Sequence, residues 1–356
     1  MYINFNTTKP TLIFAILLVS GFGSFSTLHA QDFNLHNPVS LPDKSQESMV
    51  RQRIGYTDIS ILYHSPATRG RSIWGGLVPY GQVWRAGANE NTVFTITDDV
   101  EIMGKVLPAG SYGLHLLPEK EEWTFIFSKN HTSWGSYFYD AQEDALRVSV
   151  PVEKAPEYRD WMAFDFHQRD RGSASIFLTW GDLRAGFELK TEIDQLALEN
   201  IRLQLRSDAY WEWFSWCQAA DYCAQYNINT KQALEWIDRS IAMQENFSNL
   251  DVKAKLLNQM GQKSAAEEVM ARAIEVGVPL YLERYGRRLM RQDNNQEAIF
   301  VFQQAIKKDP SYWRAHFNLG NALEATGKMK PAQKAFKKAL EVAPSASKGA
   351  IQAKIK

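Results

Sequence analysis

One short pattern occurs twice in the C-terminal third of the chain, displaced by 34 residues. Tyr285-Gly286 returns as Leu319-Gly320, and Ala298, Phe302, Ala305 and Pro310 return as Ala332, Phe336, Ala339 and Pro344. Self-similarity at such a period marks a supersecondary unit that cannot bury its own apolar face and must stack on a neighbour. The small residues let two helices approach closely, the large apolar ones fill the space between them, and the proline ends the second helix. A stack of this kind leaves a curved open surface. This third of the chain therefore predicts docking rather than chemistry.

The pattern resembles the tetratricopeptide repeat. Clear copies span 279–312 and 313–346. A degenerate copy at 247–278 keeps Leu256, Gly261, Ala266, Met270 and Ala273, and a divergent unit occupies 208–246. In the divergent unit one helix reads over 210–226, and Thr230 caps a second that carries Ala233, Trp236, Ile237 and Ile241. Residues 191–207 read as an amphipathic connector helix and 347–356 as a polar tail. The register places Leu319 in the helix interface. The resemblance implies that the first helix of each unit lines the groove. Asn318 and Asn321, and one repeat earlier Arg284, Arg287 and Arg288, would then face a protein partner. Lys328, Lys330, Lys334, Lys337 and Lys338 crowd the last repeat and read as a solvated end-cap or as a surface for an acidic partner.

The N-terminus predicts export. Lys9 precedes a run of apolar and small residues over 11–22, and Leu28-His29-Ala30 stands before Gln31. A positive start, a short apolar stretch and a small residue at the cut are the layout of a secretory signal peptide, here 1–30. The run is shorter than the ~20 residues a spanning helix needs. No cysteine stands at the cleavage point, as a lipid anchor would require. The mature chain is expected to be periplasmic or secreted, with no stable membrane insertion.

Charge sets further bounds. Lys plus Arg and Asp plus Glu are 40 each, which gives no basic field for nucleic acid or an anionic membrane. Cys217 and Cys223 are the only cysteines. Six positions apart on a helix they lie ~9 Å apart along its axis and on different faces, poor geometry for a disulfide. Two buried free thiols are expected.

The chain divides near residue 190. Residues 31–49 are polar, with Pro38 and Pro42, and read as an extended lead-in. From 50 to 190 the dominant period is two. Short strands are expected over 57–63, 92–97, 100–103, 111–117, 122–128, 146–150, 162–166, 174–180 and 186–189, with turn residues between them. The expected fold is an all-β antiparallel sandwich followed by an all-α helical solenoid. Trp123, Phe125 and Phe127 share one strand face and read as core.

The densest stretch runs from Tyr63-His64-Ser65-Pro66 through Gly70-Arg71-Ser72-Ile73-Trp74-Gly75-Gly76 to Val83-Trp84-Arg85-Ala86-Gly87-Ala88-Asn89-Glu90-Asn91. With Leu107-Pro108-Ala109-Gly110-Ser111-Tyr112 and the segment 123–127, it resembles the domain of unknown function 2911 family over roughly 45–190. Trp74 stands where that family more often has Phe. The resemblance implies an exported bacterial protein, largely of Bacteroidetes type, in a family some of whose members carry C-terminal tetratricopeptide repeats. It implies no activity.

Arg71, Trp84, Arg85, Asn89 and Glu90 are the candidate ligand residues. Arg and Asn beside aromatic faces suit a carboxylate, a sugar or a peptide end. The competing reading pairs Arg85 and Glu90 with each other or with backbone to fix a long loop. A carbohydrate-binding sandwich would need Trp74, Trp84 or Trp134 exposed on one face. The histidines show no metal-ligand spacing, no phosphate loop ends in Lys-Ser/Thr, and no catalytic residue or cofactor is assigned. The reading is a non-catalytic scaffold that binds a protein partner, with an envelope carbohydrate or peptide as a second ligand. The alternative is a hydrolase-like envelope enzyme using Arg85, Asn89 and Glu90, with Glu90, His64 and His115 as a conceivable acid–base set.

Overall fold

The computed structural model describes residues 42–355. The leader and the lead-in as far as residue 41 lie outside the described residues. The strands and the helices after them belong to one compact unit that begins at Ser45.

Ten strands form two sheets among the described residues. The six-stranded sheet holds β1 (Gln46–Ile54), β2 (Thr57–Ser65), β3 (Thr92–Ile96), β6 (Gly110–Pro118), β7 (Glu122–Ser128) and β8 (Asp144–Pro151), neighbours in that order. The four-stranded sheet runs β5 (Lys105–Leu107), β4 (Val100–Ile102), β10 (Ser173–Thr191) and β9 (Glu153–His167). All pairings are antiparallel.

Alternation explains which faces meet. Ile59, Ile61 and Tyr63 of β2, Phe94 of β3, and Trp123, Phe125 and Phe127 of β7 are buried in one cluster with Ile176, Leu178 and Phe187 of β10. Phe187 crosses the gap between the sheets, its ring centroid 5.0 Å from that of Phe125 and 5.5 Å from that of Phe127. Burying such a ring stabilises the fold by about 2–3 kcal/mol.

The structure corrects the strand reading in two places. The end of the polar lead-in is β1, paired with β2 along its whole length. Its residues are mostly exposed, so backbone pairing rather than apolar alternation makes it a strand. The segments 174–180 and 186–189 are one strand of 19 residues, β10. Its register with β9 shifts on both sides of Gly181, whose φ of 67° accommodates the bend.

The helical part opens with α1 (Ile193–Gln204). The segment expected as one helix over 210–226 splits into a 3-10 turn, Asp208–Trp211, and α2 (Trp213–Tyr226). Asn229, in the left-handed region, precedes α3 (Thr230–Met243), so Thr230 is the first helical residue and not the cap. Helical hairpins follow: α4 (Phe247–Gln259) with α5 (Lys263–Val276), α6 (Pro279–Arg291) with α7 (Asn295–Lys308), and α8 (Trp313–Ala325) with α9 (Met329–Val342). The repeated small-to-large contact is explicit. A Cβ on Gly286 would stand 2.5 Å from the Phe302 ring, and one on Gly320 would stand 2.4 Å from the Phe336 ring. Leu319 is half-buried at the edge of that cluster, so Gly320 carries the contact. The expected polar tail is a further helix, α10 (Ser345–Gln352), whose Ile351 packs in a cluster with Ala339 and Ala343 and closes the end of the stack.

Candidate functional site

The β2–β3 connection, residues 66–91, is fixed by four indoles. Trp74 lies 4.0 Å from Trp123, ring centroid to centroid, and its Nε1 donates to the Trp180 carbonyl at 3.2 Å. Trp84 stacks on Trp180 at 5.7 Å and 18°. Its backbone exchanges two hydrogen bonds with Leu116, at 2.8 and 2.7 Å. Trp74 and Trp84 are thus half-buried packing residues.

The five candidate ligand residues part company. Arg71 donates to the carbonyls of Thr68 and Ala67 at 2.9 and 2.7 Å and so fixes its own loop. Glu90 turns to His64, with Oε2 3.4 Å from Nδ1. Asn89 sits at a φ of 55°, with Nδ2 buried and unpartnered. No hydrogen bond or ion pair joins Arg85 to Glu90 among the described residues, so the expected pairing is absent; of the acid–base set, Glu90 meets His64 while His115 turns to Ser136. Arg85 and Trp84 do meet at a cavity of about 400 Å³, with Gln82, Ser136 and Tyr137. The Arg85 guanidinium lies over the Trp134 ring, 5.6 Å from its centroid. Burial pushes its pKa down.

Ser136 and Tyr137 escaped the sequence reading, and Trp134 entered it only as a residue that a carbohydrate-binding sandwich would need exposed. They lie in the β7–β8 connection, which no strand pattern covers. The available signal was a cluster of large aromatics, Trp134, Tyr137 and Phe138, in a loop that has no core to fill. The same connection seals the outer face of the six-stranded sheet. Beneath it His115 is buried, its Nδ1 3.0 Å from Ser136 Oγ and its ring 5.1 Å from Tyr139. Desolvation pushes its pKa down to about 4. Among the described residues no three His, Cys, Asp or Glu side chains converge to hold a metal ion.

A second concavity, of about 470 Å³, is lined by the first helices of three successive units, α2, α4 and α6. Phe214, Phe247 and Tyr281 supply apolar faces, and Asp221, Asp251, Lys255, Arg284, Arg288 and Arg291 supply charge. Arg288 donates to both carboxylate oxygens of Asp251, one at 2.8 Å, and lies over the Tyr285 ring. Lys255 pairs with Asp221 at 3.1 Å. Among the described residues Arg284 and Arg291 have no ion-pair partner. Cys217, free like Cys223, lies in the wall, and burial pushes its thiol up to about 12.

Of the five residues expected in the partner groove, Arg284 and Arg288 line this concavity. Arg287 and Asn318 instead face the buried Glu283, at 3.7 and 2.7 Å. Asn321 is half-buried and does not line it. Sequence reasoning missed Asp221, Asp251, Lys255 and Arg291, because three lie in the divergent and degenerate units, where the register was weakest.

Comparisons with known proteins agree with this division. Residues 45–189 match the family model described as protein of unknown function (DUF2911), and residues 283–347 match that of the tetratricopeptide repeat. The small glutamine-rich tetratricopeptide repeat-containing protein 2 of Mycosarcoma maydis is 32% identical over 102 residues, which is 26% of this chain and 29% of that protein. Among solved structures, MamA aligns with 43% of this chain and 84% of its own at 20% identity and a TM-score of 0.30. YrrB, described as a TPR protein with an unusual peptide-binding site, aligns with 45% of this chain and 84% of its own at 18% identity and a TM-score of 0.28. The C-terminal repeats support protein–protein interaction in general.

Proposed function

We propose that this chain is an exported, non-catalytic scaffold whose helical array holds an extended acidic segment of a protein partner along α2, α4 and α6. The leader pattern over 1–30 supports export. The observation that carries the docking reading is the state of the groove's charges. Asp221 and Asp251 are engaged by Lys255 and Arg288, while Arg284 and Arg291 have no carboxylate partner among the described residues. Two uncompensated cations beside aromatic faces favour a segment that mixes carboxylates with apolar side chains.

The test is fluorescence anisotropy with a labelled peptide of alternating Glu and Leu against its Lys-for-Glu counterpart. The acidic peptide is expected to bind and to weaken as salt rises. The double variant R284E/R291E should weaken it tenfold or more. Equal binding of the two peptides, or an unaffected double variant, refutes the reading.

A further inference from the structure

We propose that the cavity at Arg85 is a binding site for a carboxylated sugar of the uronate type, with Arg85 holding the carboxylate and Trp134 and Tyr137 carrying the ring. It stands apart from the helical groove and does not depend on it.

The first observation is a cation with no ion-pair partner among the described residues. Arg85 is half-buried, and its Nε is shut off from solvent with no acceptor. Among the described residues its guanidinium makes no ion pair and no hydrogen bond. A buried donor left unsatisfied carries its full desolvation penalty, and the penalty is larger when the group is charged. Tyr137 and Glu90 act on it only electrostatically, and the Glu90 carboxylate lies 3.4 Å from His64 Nδ1. A planar fork of donors is met best by a carboxylate or a phosphate.

The second is that the backbone carrying the fork is held in place before any ligand arrives. The residue before it is locked to Leu116 by two backbone hydrogen bonds and to Trp180 by ring stacking. The residue after it, Ala86, is fully buried at a φ of 48°, and its carbonyl accepts from Thr92 Oγ1 at 3.0 Å. A site fixed on both sides loses little entropy on binding.

The third is the rim. Trp134 and Tyr137 are stacked at 5.9 Å with their planes 3° apart, yet they are 52% and 79% exposed. Parallel aromatics that remain in water offer flat faces without serving a core. The Gln82 amide and Ser136 hydroxyl add hydrogen-bonding capacity in the lining. A pyranose presents a flat C–H face to an aromatic ring and hydroxyls at its edge, and a uronate adds the carboxylate. Phosphate would satisfy Arg85 and leave the rim unused. A neutral sugar would use the rim and leave Arg85 uncompensated.

Isothermal titration of the intact protein decides this, with tetragalacturonate as the probe. Its methyl ester, inorganic phosphate and a tetraglutamate peptide serve as comparators. Tetragalacturonate is expected to bind and the ester to bind at least tenfold more weakly. Phosphate and tetraglutamate should fail to displace it at equal concentration. R85M and W134A should each weaken it tenfold or more, R85K less, and R284E/R291E not at all. Absence of binding, equal binding of acid and ester, tighter tetraglutamate, or loss in R284E/R291E with retention in R85M overturns the proposal. Should R85M fail to fold, the exposed positions decide: wild-type affinity in both W134A and Y137A overturns it as well.

Discussion

Arg171, in the turn between β9 and β10, grips both carboxylate oxygens of Asp194 on α1 and so ties the sandwich to the helical array. The turn is shaped for this. Asp170 Oδ1 accepts from the backbone of Gly172 and Ser173 at 2.8 and 2.7 Å, which sets the direction of the residue between. The guanidinium also donates to Tyr222 Oη at 2.6 Å and lies 3.4 Å above the Tyr226 ring of α2.

That clasp has a pH signature. The hydrogen bonds from Arg171 hold the Asp194 carboxyl below its ordinary range. The folded value lies under the unfolded one, so the stabilisation is complete above about pH 4 and disappears as pH falls through the folded value. Both partners are about a third exposed, so R171Q should lower stability at pH 7 by only about 0.5–1 kcal/mol. Urea unfolding of both proteins at pH 7 and pH 3 checks this: the gap between them should narrow in acid.

The repeat contact predicts a larger loss. The Phe336 ring that Gly320 faces is fully buried, with no room to retreat from a Cβ at 2.4 Å. G320A should therefore cost about 2–3 kcal/mol through overpacking, although alanine is the better helix former. G286A, against Phe302 one repeat earlier, should behave alike. Thermal melts of both variants that match wild type would exclude the register.

His115 predicts a destabilisation on the acid side from a different cause. Burial lowers its pKa from 6.5 to about 4, so the folded state favours the neutral imidazole. Stability is whole above about pH 6.5 and falls as pH drops towards 4, by about 3 kcal/mol in total. H115Q, which cannot take up that proton, should show a flatter profile over that window. Chemical denaturation of both proteins at half-unit pH steps gives the comparison.

The alternation in β2 and β7 and the 34-residue return of Gly286 and Phe302 as Gly320 and Phe336 were legible because both are local periodicities. A strand repeats every two residues and a stacked hairpin repeats its own small-to-large contact, so each leaves its period in the chain. The amphipathic signal stopped where backbone pairing takes over. Strand β1 alternates only between exposed and half-buried positions as far as Ile54, and neither it nor the bend that keeps β10 one strand has an apolar period to announce it.

The sites were least legible. Arg85 was visible as a candidate, but Trp134 and Tyr137 come from a connection almost fifty residues away, and Asp251 meets Arg288 across two repeats. The amino-acid order by itself determined two architectures, their boundary near 190 and the residue types at their interfaces. Only the tertiary structure decided which charged groups find a partner: Arg71 meets carbonyls, Glu90 meets His64, Arg288 meets Asp251, and Arg85 meets an aromatic ring but no carboxylate. Compensation depends on distance in space between groups remote in the chain, and no local pattern carries that distance.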